Sequence, residues 1–457
     1  MAEAVDMRPD EEVLRCDVVI AGGGLVGMSL AAALAGARVA TTVIDAQEEQ
    51  AVLDARHDGR SSAIAFGARQ ALAATGVWPG MAAAAQPIWH IRVSDGDGTG
   101  RVSRLFLDYD AGELAPPGAR WRAWPPPPPA EGSGAHGFRS AELDMAGVAP
   151  LGYIVENRAT REALLGRLAV LPTLRHLRPA RVAGVERTPG KATVVLTDGR
   201  RVEARLVVAA DGGESRLRLE AGIAVMRLAY PQTAIVCTVT HTLPHEGVAH
   251  EHFLPSGPFA MLPMVPDPAT GAYRSSVVWT ERNDLAPAML RLDEARFSFE
   301  MQRRFGDSLG TLRLVGGRWS YPLRLIHAER YVDHRLALIG DAAHVVHPIA
   351  GQGFNLGLKD VAALAEIVVD AMRLGLDIGS LAVLERYERW RRLDTVMLIA
   401  ATDGINRLFS NDIGPLRLLR DLGLAAVDRL PPLKRLFMRD AMGTLGELPR
   451  LIRGEAL

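Results

Sequence analysis

The sequence predicts an α/β protein: a dinucleotide-binding parallel sheet, a second lobe rich in β-strands, and a helical C-terminal region. Three observations carry that prediction. Asp17 to Ala21 is a buried-strand pattern that runs into Gly22-Gly23-Gly24-Leu25-Val26-Gly27 and then a helix. Leu206 to Ala210 and Leu336 to Ile339 are two more wholly apolar runs of strand length, ending in Asp211-Gly212 and Gly340-Asp341. Between those two runs, from Ala229 to about Leu312, the pattern turns to alternating strands. Continuous apolar runs mark strands covered on both faces, as in a parallel sheet flanked by helices.

The first corner has the glycine spacing of a phosphate-binding turn in its required context. A strand precedes it, a helix from about Leu25 to Ala35 follows, and a second strand, Thr41 to Ile44, ends at an acid, Asp45. Gly22 makes the tight turn, Gly24 admits a pyrophosphate, and Gly27 lets the helix pack on the strand. Asp45 would accept hydrogen bonds from a ribose. The motif alone does not separate FAD from NAD. Its place at the N-terminus, with a second nucleotide-type corner over 300 residues later, favours FAD. That second corner starts at Gly340-Asp341 and passes Pro348, Gly351 and Gly353 before a helix from about Phe354 to Met372. Glycine lets backbone approach a ligand, and bare N–H groups at a helix start favour negative charge. Reduced flavin carries such a charge.

At 457 residues the chain is too long for one simple core, so two or three lobes are expected. Segments 1–90, 151–228 and 321–375 are assigned to the dinucleotide domain, and 229–320 to a substrate domain. Segment 91–150 supplies strands to the substrate lobe and carries a Pro/Gly-rich insertion; 376–457 is the helical region. With 48% hydrophobic residues, 23% charged residues and a net charge of -1, no nucleic-acid partner is expected. The two cysteines, Cys16 and Cys237, fit a reducing cytosol. Met1 to Arg15 is too acidic and polar for a signal peptide, and glycines and Asp17 break the apolar stretch from Val18 to Ala37. A cytoplasmic protein is therefore expected.

Other elements follow in order. Asp58-Gly59-Arg60-Ser61-Ser62 leads into a helix to about Thr75, and Arg60 reads either as a phosphate or flavin contact or as a solvated loop arginine. Ile88 to Val93 and Arg101 to Leu107 read as paired strands. Ala111 to Gly147, with Pro125 to Pro129, reads as an exposed loop, extended in its proline part. Leu151 to Asn157 enters a helix from Arg158 to Val170; Arg181 to Glu186, Thr193 to Leu196 and Val202 to Ala204 form antiparallel strands. Within the second lobe, strands are expected at Thr233 to Thr240, Phe259 to Met264 and Arg274 to Thr280, and helices at Leu285 to Leu290 and Glu294 to Phe305. A long helix spans Leu381 to Leu408. The Leu/Arg-rich stretch from Arg417 to Leu457 is amphipathic, suited to packing on its own protein or, second, to a membrane surface. His245-Glu246-Gly247-Val248-Ala249-His250 looks metal-rich, but its spacing does not put two histidines on one helix face, so no metal site is expected.

Taken together, Gly22-x-Gly24-x-x-Gly27, Ala210-Asp211-Gly212 and Gly340-Asp341 with Pro348 and Gly351-x-Gly353 resemble the three fingerprints of the class A flavin-dependent aromatic hydroxylases. Tyr153 to Arg158, Gly340 to His344, Gln352 to Gly357, Tyr230 to Ala234 and Pro244 to Ala249 are similar to the ubiquinone-biosynthesis hydroxylases of the UbiH/UbiF/VisC type, over nearly the whole chain. Two departures stand out: the insertion at Ala111 to Gly147, and Asp45 where many relatives have Glu. The resemblance implies a Rossmann-like FAD domain of the aromatic-hydroxylase type. It implies that Gly22, Gly24 and Gly27 hold the pyrophosphate, Asp45 the adenosine ribose, and Gly340 and Asp341 the ribityl or pyrophosphate region. Arg60 and Asp211 would lie at the cofactor, and Pro348, Gly351, Gly353, Phe354 and Asn355 along the isoalloxazine.

The implied reaction takes electrons from NAD(P)H through FAD and puts one oxygen atom of O2 on the ring of a polyprenylated phenolic quinone precursor. The catalytic residue stays open: Tyr230, His250 and His252 are candidate bases, each better read as structural. Two other readings are a soluble hydroxylase of small phenols such as hydroxybenzoates, and a non-catalytic flavoprotein subunit of a quinone-biosynthetic complex. A prenylated substrate adds an expected peripheral contact with the inner membrane.

Overall fold

The computed structural model describes residues 13–54, 57–96, 102–115, 148–409 and 427–457. The proline run at 125–129 and the rest of 116–147 lie outside the described residues, as do 410–426.

The strands Val18–Ala21, Thr41–Ile44, Leu206–Ala209 and Leu336–Leu338 are buried at every position. They pair in parallel in one six-stranded sheet, with Leu174–Leu177 at one edge and the short antiparallel Val332–Asp333 at the other. Register is tight: Val18 faces Leu206 and Thr41, and Val207 faces Leu336. Helices Leu25–Gly36, Asn157–Ala169 and Gln352–Arg373 cover this sheet. The first of these is buried without a break from Gly27 to Ala35, the pattern of a helix enclosed on all sides. Because the strands are parallel, the residues that follow them share one edge. Gly22, Asp45, Asp211 and Gly340 therefore meet there, although they are far apart in sequence.

The second lobe is an eight-stranded, mostly antiparallel sheet. Two long strands, Val225–His241 and Leu312–Ala328, run 17 residues each and reach from this lobe to the dinucleotide lobe. One face presents Ile235, Cys237, Phe259, Met261, Val277 and Trp279 to Phe297, Met301 and Phe305 of the helix Glu294–Phe305. Burying a side chain of that size stabilises by about 1.5–3 kcal/mol. Asp293 caps this helix, accepting from the Arg296 N–H at 2.8 Å.

Two expectations need correction. The segment after Arg60 is not helical at once: Ser61–Ala65 is a strand, paired with Gly152–Glu156, and the helix starts at Phe66. Small and β-permissive residues there take the ladder of a three-stranded sheet completed by Gln86–Ile88. The sequence reading also passed over the strand Val248–Leu254, where three polar side chains in a row hide the alternation. In the C-terminal stretch, the described helix is Pro431–Ala441.

Candidate active site

Two helix N-termini point into the cleft at the carboxyl edge of the parallel sheet. At the first, Gly22 holds φ +118°, and a Cβ there would lie 2.2 Å from the Ala210 carbonyl oxygen. A Cβ at Gly27 would lie 2.0 Å from the Gly22 oxygen, so only glycine lets this helix sit on its strand. Gly24, at the helix start, is different: a Cβ there meets nothing within 4 Å. No side chain caps this end and no acid occupies its first turn. At the second, Gly351 has φ +62° and lies against Ala63, and the helix Gln352–Arg373 again begins with no side-chain cap and no acid. Gly353 is open in the same way as Gly24. The two ends are brought together because Gly340 and Gly357 both abut Val26; a Cβ on Gly357 would be 2.6 Å from the valine. Two helix N-termini without a side-chain cap, facing one cleft, make a site for an extended polyanion. The residues present therefore fit an FAD.

The side chains around the cleft are acidic at defined points. Asp45 is buried, accepts from the Gln47 N–H at 3.1 Å and leaves no room for a side chain at Gly23; burial raises its carboxyl pKa. Asp341 keeps exposed surface in the cleft while protein crowds it, and that desolvation raises its carboxyl pKa against the pull of His344 and Arg60. Arg60 lies 4.9 Å from the Tyr321 ring centroid and donates to Asp58 at 2.9 and 3.1 Å. Burial alone would raise the Asp58 carboxyl. Hydrogen bonds from Arg60, Asn157 at 3.0 Å and Arg161 at 2.6 Å outweigh it and hold the group well below the usual carboxylate range. Arg60 is thus a half-exposed, pre-oriented cation at the cleft.

Other residues named from sequence sit differently. The Asp211 carboxylate accepts from the Arg216 and Leu217 N–H groups at 2.9 and 3.3 Å. The Asn355 amide is committed to backbone, donating to Ala63 O at 2.8 Å and accepting from Ala65 N at 2.9 Å. It clamps the glycine loop onto the strand Ser61–Ala65. Phe354 packs on the main core, and Pro348 begins the short turn Ile349–Gly351.

The sequence reading missed the buried brace behind the second corner. Asp360, fully buried, accepts from the Gly340 N–H at 3.0 Å, from His344 Nε2 at 2.6 Å and from Arg391 Nε at 2.9 Å. One signal was available. An acid on the apolar face of the helix expected from Phe354 to Met372 must have buried partners. Arg391 itself is 3% exposed.

Of the candidate bases, Tyr230 donates its hydroxyl to Asp403 at 3.0 Å, and burial followed by that contact pushes its pKa up. His250 and His252 lie 5.3 and 5.2 Å from the Phe305 ring, on the sheet face turned away from the glycine loop. Burial lowers them to about 3 and about 4, so both are neutral.

Residues 15–397 match the FAD binding domain family. The chain is 50% identical over 444 residues to a ubiquinone hydroxylase, UbiL, of Rhodospirillum rubrum, covering 96% of this chain and 93% of that one. The chain belongs to the ubiquinone-biosynthesis FAD-dependent hydroxylases. A 3-demethoxyubiquinol 3-hydroxylase of Escherichia coli is 32% identical, with 93% of this chain and 98% of that one covered. Among solved structures, p-nitrophenol 4-monooxygenase PnpA of Pseudomonas putida DLL-E4 superposes with a TM-score of 0.72 at 19% identity. That match covers 94% of this chain and 99% of that one, and shares the fold. The protein is thus an FAD-dependent monooxygenase, and the α/β fold read from its sequence is borne out.

Proposed function

We propose that this ubiquinone-biosynthesis hydroxylase acts on the aromatic ring of a polyprenylated phenol, with NAD(P)H as electron donor. The names of the relatives support the substrate class. The observation that carries the site is the meeting of two helix N-termini that no side chain caps with Asp45, Asp341 and Arg60 in one cleft. In this reading Gly22, Gly24 and Gly27 cradle the FAD pyrophosphate, and Asp45 accepts from the adenosine ribose. Gly340 and Asp341 hold the ribityl and pyrophosphate region, and Asp211 borders the cofactor. Arg60 offers a fixed cation at the ring. Pro348, Gly351 and Gly353 lie along the isoalloxazine, with Phe354 and Asn355 behind them fixing the loop. Bound FAD supplies the redox chemistry, accepting a hydride equivalent and activating O2 for transfer of one oxygen atom.

The protein's own part is to bind the phenol, keep water from the reacting atoms and set charge at the ring. The apolar face of the eight-stranded sheet suits the first two tasks. Ala249, Ala260, Phe253 and Val278 on that face are flanked by the turn Ile349–Gly351 and by Ile399 and Phe409 of the helix Leu381–Phe409.

The test is the visible spectrum of the purified protein under anaerobic conditions. Flavin bands that NADPH or NADH bleaches faster when a short-tailed prenylated phenol is present are expected. Bleaching stimulated by hydroxybenzoate but not by the prenylated phenol would sink the substrate class. Flavin that neither donor bleaches would indicate a non-catalytic subunit of an assembly.

Among the described residues, no helix is long and apolar enough to cross a membrane. The helix Leu381–Phe409 does expose an apolar stripe: Leu393, Val396, Met397, Ile405 and Leu408 recur at helical spacing. A prenyl tail resides in a bilayer, so this stripe fits a peripheral contact with the lipid surface. Substituting Leu393, Met397 and Ile405 by Ser should abolish co-sedimentation with phospholipid liposomes at unchanged FAD content. A native protein that ignores liposomes would refute the contact.

A further inference from the structure

We propose that Glu251 is the catalytic base that takes the phenolic proton of the substrate; this rests on the aromatic-hydroxylase reading above. The strand Val248–Leu254 alternates its side chains. His250, His252 and Leu254 face the helix Glu294–Phe305. Ala249, Glu251 and Phe253 therefore face the other way, toward the glycine loop. Both flanking residues show where that face leads. Phe253 clusters with Phe409 and with Ile349, the residue after Pro348. Ala249 clusters with Ile88, Ile154 and Met264, with Ala63 packed against them, and Ala63 is the residue that abuts Gly351. Glu251 lies between these two patches. Its lateral neighbours are Val93 on one side and Ala260 on the other.

The in-strand neighbours Ala249 and Phe253 and the lateral neighbours Val93 and Ala260 are all apolar, and among the described residues no hydrogen bond or ion pair reaches the Glu251 carboxyl. Yet the side chain keeps some accessible surface. A carboxyl in apolar surroundings without a partner is costly, and it marks a group whose partner arrives with the ligand. Burial pushes its pKa up to about 7, the range in which a carboxylate is a useful base for a phenol. The titratable groups on surrounding elements are few. Asp95 shares the face beside Phe253, and His347 lies in the loop. Asp403 and Arg407 are paired with each other at 2.8 Å on the helix, and Tyr153 and Glu156 stand on the strand Gly152–Glu156. The strands Gly257–Met264 and Gln86–Ile88 carry none.

The step balances as a proton transfer. The phenolic O–H bond breaks and its proton goes to a Glu251 carboxylate oxygen. The electron pair left on the phenolic oxygen flows into the ring as a ring carbon bonds the oxygen atom that O2 and the reduced flavin deliver. The O–O bond breaks as that bond forms, the ring carbon's own proton passes to the second oxygen atom of O2, which leaves as water, aromaticity returns, and Glu251 gives its proton back to the phenolic oxygen.

The experiment compares the native holoenzyme with Glu251→Gln and Glu251→Asp on a short-tailed polyprenylphenol. FAD content and melting temperature report folding. Removing an unpaired, desolvated carboxyl should leave the first unchanged and raise the second at neutral pH. In the native enzyme kcat/KM should fall as pH drops through about 7, because only the carboxylate accepts the proton. In Glu251→Gln, kcat/KM should drop by about 10²–10⁴-fold and lose that acid limb. The ultraviolet band of bound phenolate should vanish with it, and Glu251→Asp should restore part of both. A glutamine variant with native kcat/KM and the same acid limb would overturn the assignment while leaving the hydroxylase reading intact. A native enzyme that binds FAD but hydroxylates no phenol would overturn the hydroxylase reading, and the base with it.

Discussion

Gly24→Asp should yield a folded protein that has lost its flavin. The space at Gly24 is open, so the new side chain meets no atom within 4 Å of its Cβ. Aspartate is also a good first residue for a helix, worth a few tenths of a kcal/mol over glycine. The melting temperature of the protein without cofactor should therefore stay level or rise slightly. The same carboxylate would stand where two phosphates must dock. Two like charges 4 Å apart at an effective dielectric of 20 repel by about 4 kcal/mol, which is roughly a 10³-fold loss of affinity. Equilibrium dialysis or flavin fluorescence quenching against FAD measures it. Retained tight binding would mean that this helix start does not hold the pyrophosphate. Gly27 is the contrast: any side chain there strikes the Gly22 carbonyl oxygen, so a loss of flavin could not be told from a loss of fold.

That contrast shows what was legible in the sequence. Gly22, Gly24 and Gly27 could be given separate tasks because each backbone demand has its own spacing; the structure shows a positive φ at Gly22, open space at Gly24 and no room for a side chain at Gly27. The parallel strands were legible because burial on both faces leaves a continuous apolar run. The Gly340-Asp341 corner was legible for the same reason. The strand Ser61–Ala65 was not, since Ser-Ser-Ala-Ile-Ala has no clear period and its ladder partner, Gly152–Glu156, is far away in sequence. Asn355 is expected beside the flavin; what no sequence pattern displays is that its amide also binds the backbone of that unread strand. Glu251 was hidden between His250 and His252. The eye goes to the histidines, whereas strand alternation turns them to the opposite face from the glutamate.

Asp360→Ala should be the most destabilising single change at the site. Its carboxylate is the common acceptor for His344, Arg391 and the Gly340 N–H, all inside the protein. Among the described residues Arg391 would keep Asp394 as its carboxylate partner, and the Gly340 amide would lose Asp360. Removing one member of a buried charged set costs about 3–5 kcal/mol. On the site assignment proposed above, FAD affinity should fall as well, because the Gly340 amide fixes the corner that presents Asp341. The native carboxyl also sets an acid limit on stability. Burial would raise its pKa, but His344, Arg391 and the Gly340 N–H hold it below the usual value. The unfolded chain therefore binds this proton more readily than the folded one. The stabilisation is full above the ordinary aspartate pKa of about 3.9 and is lost as pH falls through the lower folded value. Asp360→Asn keeps an acceptor for the Gly340 N–H but removes this proton linkage. Urea unfolding at pH 7 should rank native above Asn above Ala. Below about pH 4 the gap between native and Asn should narrow. A gap that stays constant into acid would mean that the buried carboxylate contributes shape rather than charge to the flavin corner.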